Sequence, residues 1–348
     1  MSACLRIHSP GLQTSIQDLG RPGYARYGVP AGGAVDPFAL RAANAIVGNA
    51  PDCGALEMHY VGPTFEVEAE SVRVAFFGAR ASIEVFDGPQ ANNDGRTVAA
   101  GQSLRLRRGQ IVRVGSFNDS AILYMSIEGG FAVEPVMGSV STYLRGGFGG
   151  FEGRQLREAD ALSLNLGAVS DRVDCFMSDF RVARENRVRV IDGPQVDHFE
   201  GNAIETFYAG EYKIAAGSDR MGMRLEGEKL ASALGFNIVS DGIVPGSIQV
   251  TGEGQPIVLM RDHQTTGGYP KIATVISADI SALGRKAIGS TIIFERVSMA
   301  AAVLANRAMT AEISEIAAHV RPIQASGVDL NAILGASNLI SGFVCAFG

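Results

Sequence analysis

The densest set of potentially reactive side chains in this sequence is one run, Arg261-Asp-His-Gln-Thr-Thr-Gly-Gly-Tyr-Pro-Lys271. Asp262 is a candidate base. Lys271 can neutralise a carboxylate or a phosphate, and Tyr269 joins them as a candidate catalytic group. Gln264, Thr265 and Thr266 are candidate substrate contacts. Gly267 and Gly268 let the backbone approach a ligand and turn N–H groups toward an anion or a carbonyl oxygen. The competing reading is a well-bonded turn, with Asp262 and Thr265 satisfying their own backbone. His263 is the histidine with a functional setting. His8, His59, His198 and His319 are isolated, and no two histidines fall at metal-ligand spacing, so no metal site is expected.

A second cluster runs from Gly11 to Asp36 and holds Gln17, Asp18, Arg21, Tyr24, Arg26 and Tyr27 among glycines. Arg21 and Tyr27 are candidate substrate-binding residues. The structural alternative pairs Asp18 with Arg21 and leaves Asp36 as a helix cap. A third, Gly138-Ser-Val-Ser-Thr142 with Gly146-Gly-Phe-Gly-Gly-Phe-Glu-Gly-Arg154, reads as a mobile lid, a crossing between domains or a plain linker.

These groups need a scaffold, and the scaffold reads as strands. Strand-like runs cover Thr64–Val67, Val72–Phe77, Ser82–Phe86, Ser103–Leu106, Ile111–Val114, Ala121–Ser126, Val188–Ile191, Ser247–Val250, Pro256–Met260, Ile272–Ile276 and Thr291–Phe294. Turn signals such as Asn93-Asp94-Gly95 and Asp192-Gly193-Pro194 separate them. The Arg261–Lys271 run therefore reads as a loop between two strands. Helical patterns cover Asp36–Val47, where Asp36 caps and Pro37 takes the first turn, then Asp197–Phe207 and Val297–Met309.

At 348 residues the chain has room for about two domains. The expected division is 1–185, 186–300 and a helical tail, 301–348. An ordered set of echoes supports two related β units. Gly20-Arg-Pro-Gly-Tyr-Ala-Arg26 resembles Asp219-Arg-Met-Gly-Met-Arg224. Val61-Gly-Pro-Thr-Phe-Glu-Val67 resembles Val244-Pro-Gly-Ser-Ile-Gln-Val250, and Ala99–Leu106 resembles Ala287–Phe294.

Several classes are excluded. Net charge is −6, Lys contributes only 4 of the 30 basic residues, and no dense basic stripe occurs, so no nucleic-acid partner is expected. Walker A, HExxH, GxSxG and GxGxxG patterns are missing. No lysine sits in a biotin-carrier hairpin. If ATP or biotin is used, another chain or domain brings it. Dispersed Cys4, Cys53, Cys175 and Cys345 fit a reduced compartment, and neither a signal peptide nor a membrane span is visible, so a cytoplasmic protein is expected.

Taken together, Pro10–Asn49, Gly138–Asp160 and Gly242–Ile280, with its QTTGGYP stretch, resemble the biotin-dependent carboxyltransferase-like family, also called allophanate hydrolase subunit 2. The resemblance spans about residues 5–300. It implies a mainly β fold: two cyclophilin-like β-barrel domains with a few short helices. Stand-alone members resemble the C subunit of ATP-dependent 5-oxoprolinase, which opens the 5-oxoproline lactam to glutamate. That implies ATP used through the complex, with the A subunit and the allophanate hydrolase subunit 1-like protein (the B subunit) as partners. Two other readings stay open. One is a carboxyltransferase component of a biotin-dependent urea or amide carboxylase. The other is a non-catalytic regulator of the subunit 1-like protein. Turns at Leu283-Gly-Arg285 and Ile288-Gly-Ser290 depart from the usual family pattern.

Overall fold

A computed structural model describes residues 3–88, 95–177 and 186–323. Among these, eleven strands between Cys4 and Ser163 form two antiparallel sheets. One orders Ala161–Ser163, Cys4–Ser9, Thr64–Val67, Ile111–Phe117, Ala81–Phe86 and Arg96–Val98. The other orders Gln13–Gln17, Ala55–His59, Ile122–Ile127, Ser71–Phe77 and Ser103–Arg107. The two share one core, to which Leu5, Phe65, Val67 and Ile83 come from the first sheet and Ile16, Leu56, Met58, Phe76 and Met125 from the second.

Helix α1, Pro37–Val47, packs on the Ser71–Phe77 and Ile122–Ile127 strands. Asp36 accepts from the Phe38 and Ala39 N–H groups at 3.2 and 3.3 Å, and Gly48 closes the other end at φ 79°. Ser71–Phe77 is buried along its whole length. Val72, Val74 and Phe76 join the core between the sheets, while Ala75 and Phe77 join the α1 side. Apolar residues on both faces are what such a strand requires.

Seven further strands close a barrel, in the order Arg187–Asp192, Lys271–Val275, Ser247–Val250, Pro256–Leu259, Gly222–Glu226, Glu211–Ile214 and Thr291–Arg296. Glu211–Ile214 shows the expected alternation, Tyr212 and Ile214 inward with Glu211 and Lys213 outward. Helix α2, Gly201–Ala209, brings Phe207 to stack on Phe294 with ring centroids 4.7 Å apart. The barrel interior and α1 form one continuous apolar cluster. Helices α3, Ser277–Gly284, and α4, Met299–His319, pack beside each other, and α4 also lies against α1.

The chain is mainly β, and each strand-like run named above coincides with an observed strand. The described strands close a barrel in the second half and share a core between two sheets in the first. Helix α3 carried no readable period, since it buries only Ile280 and Leu283, and α4 extends well past Met309 to His319. The Asn93–Gly95 turn lies mostly outside the described residues, as do the 185/186 boundary in part, the tail beyond Ile323 and Cys345.

Candidate functional site

Past the ends of paired strands, the backbones of Arg220 and Asp262 still run side by side. The Met260 N–H donates to the Met221 carbonyl at 3.0 Å and the Asp262 N–H to the Arg220 carbonyl at 2.8 Å. That continuation brings the two side chains together. Arg220 donates through Nε and Nη2 to the two oxygens of Asp262, both at 2.9 Å. This is the fork geometry that suits guanidinium and carboxylate. Nη2 also reaches the Gly33 carbonyl at 2.7 Å and Gln17 Oε1 at 3.4 Å, and Nη1 donates to Glu57.

Glu57 is fully buried, and strand alternation explains why it points here. Leu56 and Met58 enter the core between the sheets, so Glu57 leaves on the other face. Its cross-strand neighbours are Ser15 and Tyr124. The Tyr124 hydroxyl and the Val35 N–H donate to Glu57 Oε2, the latter at 2.9 Å, and His59 Nε2 lies 3.1 Å from Oε1. Burial opposes the Glu57 charge, but Arg220 and His59 outweigh it and hold the carboxyl well below its ordinary range. For Arg220 burial likewise opposes the charge, and Asp262 and Glu57 together raise its pKa above the usual value.

Asp18 organises the other wall. It accepts from the Gly20 N–H at 2.7 Å, the Ser139 and Ser141 hydroxyls at 2.6 and 2.5 Å, and the Val140 N–H at 2.7 Å. Gly138–Thr142 is thereby a packed wall instead of a lid or a linker: Ser139, Ser141 and Thr142 are buried. Arg21 threads beneath it, 1% exposed. Its Nη2 donates to the Ser141 carbonyl and its Nε to the Val136 carbonyl at 3.3 Å, with Phe148 5.1 Å from the guanidinium.

One atom of Arg21 is left over. Nη1 is buried and has no hydrogen-bond partner among the described residues. Burial lowers the Arg21 pKa, and the Asp18 and Asp262 carboxylates only partly offset this. Gly32 forms the floor between the two groups. A Cβ there would lie 3.5 Å from Arg21 Nη1 and 3.6 Å from Asp262 Oδ1, and would meet nothing else within 4 Å. The site thus offers a free donor and a carboxylate oxygen above a bare backbone. In hydrogen-bonding terms, an acceptor beside an N–H would complement that pair.

The structure brings Arg21 and Asp262 together, across the two halves of the chain. It does not bring every candidate to them. Tyr27 sits on an exposed arm, 66% accessible, with Arg26 stacked on its ring at 4.7 Å. Lys271 is buried but its Nζ donates to Asp241 at 2.8 Å. That pair flanks the short ladder of Asp241–Gly242 against Thr266–Gly267. The Ile238 N–H donates to the Gly268 carbonyl and the Ile243 N–H to the Thr265 carbonyl. Gly267 has no room for a side chain, because a Cβ would fall 2.5 Å from Ile243 and 2.6 Å from Gln249. Gln264 approaches the same point at 3.5 Å, and Tyr269 is partly exposed. His263 Nδ1 lies 2.6 Å from the Gln264 carbonyl, which can only accept, so Nδ1 carries the proton. Burial lowers the His263 pKa. No group of three or more metal-ligating side chains occurs among the described residues, and no described helix is long and apolar enough to cross a membrane.

Sequence reasoning missed Glu57 and Arg220. Each left a trace: a lone acid in the apolar run Ala55-Leu-Glu-Met58, and an arginine that the internal echo aligns with Arg21.

Residues 27–296 match the family model described as carboxyltransferase domain, subdomain A and B. The 5-oxoprolinase C subunit of Escherichia coli is 36% identical over 303 residues, 87% of this chain and 94% of its own length. The same-named protein of Haemophilus influenzae is 36% identical over 290 residues, 82% and 89% of the two lengths. The urea amidolyase of Saccharomyces cerevisiae is 31% identical over 84% of this chain but only 17% of its own. Among solved structures, the K. lactis urea amidolyase superposes with a TM-score of 0.80 at 28% identity, over 90% of this chain and 20% of that one. This chain therefore corresponds to one part of the larger polypeptides and to nearly the whole of the smaller ones.

Proposed function

Because the chain belongs to the carboxyltransferase domain, subdomain A and B, family, we propose that it is the C-type subunit of an ATP-dependent 5-oxoprolinase, a hydrolase of a cyclic amide that works with A and B subunits. The observation that carries this is the unpartnered Arg21 Nη1 facing Asp262 Oδ1 across Gly32. A lactam presents its carbonyl oxygen and its N–H on one edge. Arg21 Nη1 donates to the oxygen, and Asp262 accepts from the N–H. Arg220 grips both Asp262 oxygens, so the carboxylate is held as an oriented acceptor. A donor aimed at the carbonyl oxygen stabilises charge that builds there when the ring opens. Lys271 and Tyr269 complete the proposed site through the hairpin, with Lys271 fixing the Thr266–Gly267 strand by way of Asp241. Gln264, Thr265 and Gly268 belong to the same hairpin, and the exposed Tyr27 arm is where a partner protein would close over substrate.

The Arg21–Asp262 cradle does not fit a triphosphate. It offers one free donor beside a carboxylate, and a carboxylate repels phosphate. ATP is accordingly assigned to the partner proteins of the complex. Urea shares the carbonyl and N–H edge, so the same pair would serve a carboxyltransferase with biotin carried on another domain. Near-complete coverage of the 5-oxoprolinase relatives favours the lactam. The dispersed free thiols of Cys4, Cys53 and Cys175 fit a cytoplasmic setting. Reconstitution with A and B subunits tests the reading. Turnover of 5-oxoproline with ATP, lost in Arg21→Gln, is expected; turnover of urea with carboxybiotin and none of 5-oxoproline would replace it with the carboxyltransferase reading.

A further inference from the structure

A second cavity, of about 1380 Å3, lies among α1, α3 and α4, and nothing in the lactam reading uses it. Its wall carries an excess of unsatisfied positive charge. Arg189 is bonded to Asp279 at 2.6 Å, and Arg80 to Asp119 at 2.8 Å. The side chains of Arg261 and Arg41, by contrast, make no hydrogen bond or ion pair with any described residue, and Arg261 Nε is buried. Arg285 is 9% exposed; its Nη1 donates to Asp36 Oδ2 at 2.8 Å, but its buried Nε has no partner. Asp36 cannot serve Arg261 as well, because its other oxygen caps α1. Glu312 from α4 lines the cavity from an exposed position and pairs with no described residue.

Leaving a half-buried guanidinium with a buried, unpaired Nε is costly, and the cost falls when an anion supplies acceptors to the group. Ser277 and Ala278, the first residues of α3, also line the cavity, and no side chain caps that helix end. At the turn that follows the Pro256–Leu259 strand, Asp262 meets Arg220 while its chain neighbour Arg261 lines this cavity. A buried hydrogen-bond chain connects the two places: Arg220 to Glu57, Glu57 to the Tyr124 hydroxyl, that oxygen to the Asp36 N–H, and Asp36 to Arg285.

We infer that this cavity is an oxyanion site, distinct from the Arg21–Asp262 cradle, in which Arg261 and Arg285 hold the phosphoryl or carboxylate group of a small anion. Guanidinium forks suit either group. The test is isothermal titration of the full chain at low salt with inorganic pyrophosphate in one arm and succinate in the other. One saturable site is expected. It weakens by about tenfold or more in Arg261→Gln and is unchanged in Arg21→Gln. Arg261→Lys keeps the charge without Nε and falls between, and it decides the matter if Arg261→Gln fails to fold. Tighter binding of pyrophosphate identifies a phosphoryl ligand, and tighter binding of succinate a carboxylate. No saturable heat with either anion, equal affinity in Arg261→Gln, or loss confined to Arg21→Gln would each overturn the inference. Turnover of 5-oxoproline is not read in this experiment, so its outcome leaves the lactam reading standing or falling on its own test.

Discussion

Replacing Gly32 by alanine isolates the cradle from the backbone that builds it. Gly32 has φ +60°, where an L residue costs about 1–2 kcal/mol. The new methyl would sit 3.5 Å from Arg21 Nη1 and 3.6 Å from Asp262 Oδ1, ordinary contact distances, so the protein itself need not shift. It would, however, stand between the two groups, where the proposed ligand must sit. Two hydrogen bonds to charged partners are lost, at about 1.5–3 kcal/mol each, so kcat/KM should fall by about 100-fold or more. Gly109→Ala is the control, because Gly109 has φ +85° with nothing within 4 Å of a Cβ and lies outside the proposed site. Both variants should lose a similar increment of stability in urea. Only Gly32→Ala should lose turnover in an ADP-release assay with the reconstituted complex and 5-oxoproline. If the two variants keep the same activity to within about twofold, the cradle is not where substrate binds.

Arg220→Met leaves Asp262 and Glu57 buried without their shared cation, and should cost about 3–5 kcal/mol in urea unfolding; a loss below about 1 kcal/mol would show the network to be dispensable. Glu57 has a folded-state pKa below its ordinary 4.5, so the unfolded chain takes up that proton first. Its contribution is complete above about pH 4.5 and is lost as pH falls below that, and Glu57→Gln should flatten the acid limb of the stability profile. An unchanged limb would contradict the assignment. Lys271→Met removes the partner of a half-exposed Asp241, which returns to water, so the unfolding midpoint should barely move. If Lys271 positions the hairpin, KM rises and kcat holds; a kcat loss at constant KM would make Lys271 a catalytic group instead.

What the amino-acid sequence determined by itself is local. Alternation of polar and apolar residues over four positions marked Thr64–Val67 and Ser247–Val250 to the residue, because successive strand side chains leave on opposite faces with a period of two. Asp36-Pro37 marked the start of α1, because a cap acts on N–H groups two and three residues away. The Arg261–Lys271 loop was legible from the two strands around it. Tertiary structure alone decided which polar groups share a site. Glu57 and Arg220 meet across 163 positions, and Asp18 and Ser141 across 123, separations that no sequence period encodes. It also turned Gly138–Thr142 into a wall, sent Lys271 to Asp241, and left Tyr27 on an exposed arm. A buried charge is settled by whatever carboxylate or guanidinium the fold carries to it, and that choice exists only once the sheets and the barrel have closed.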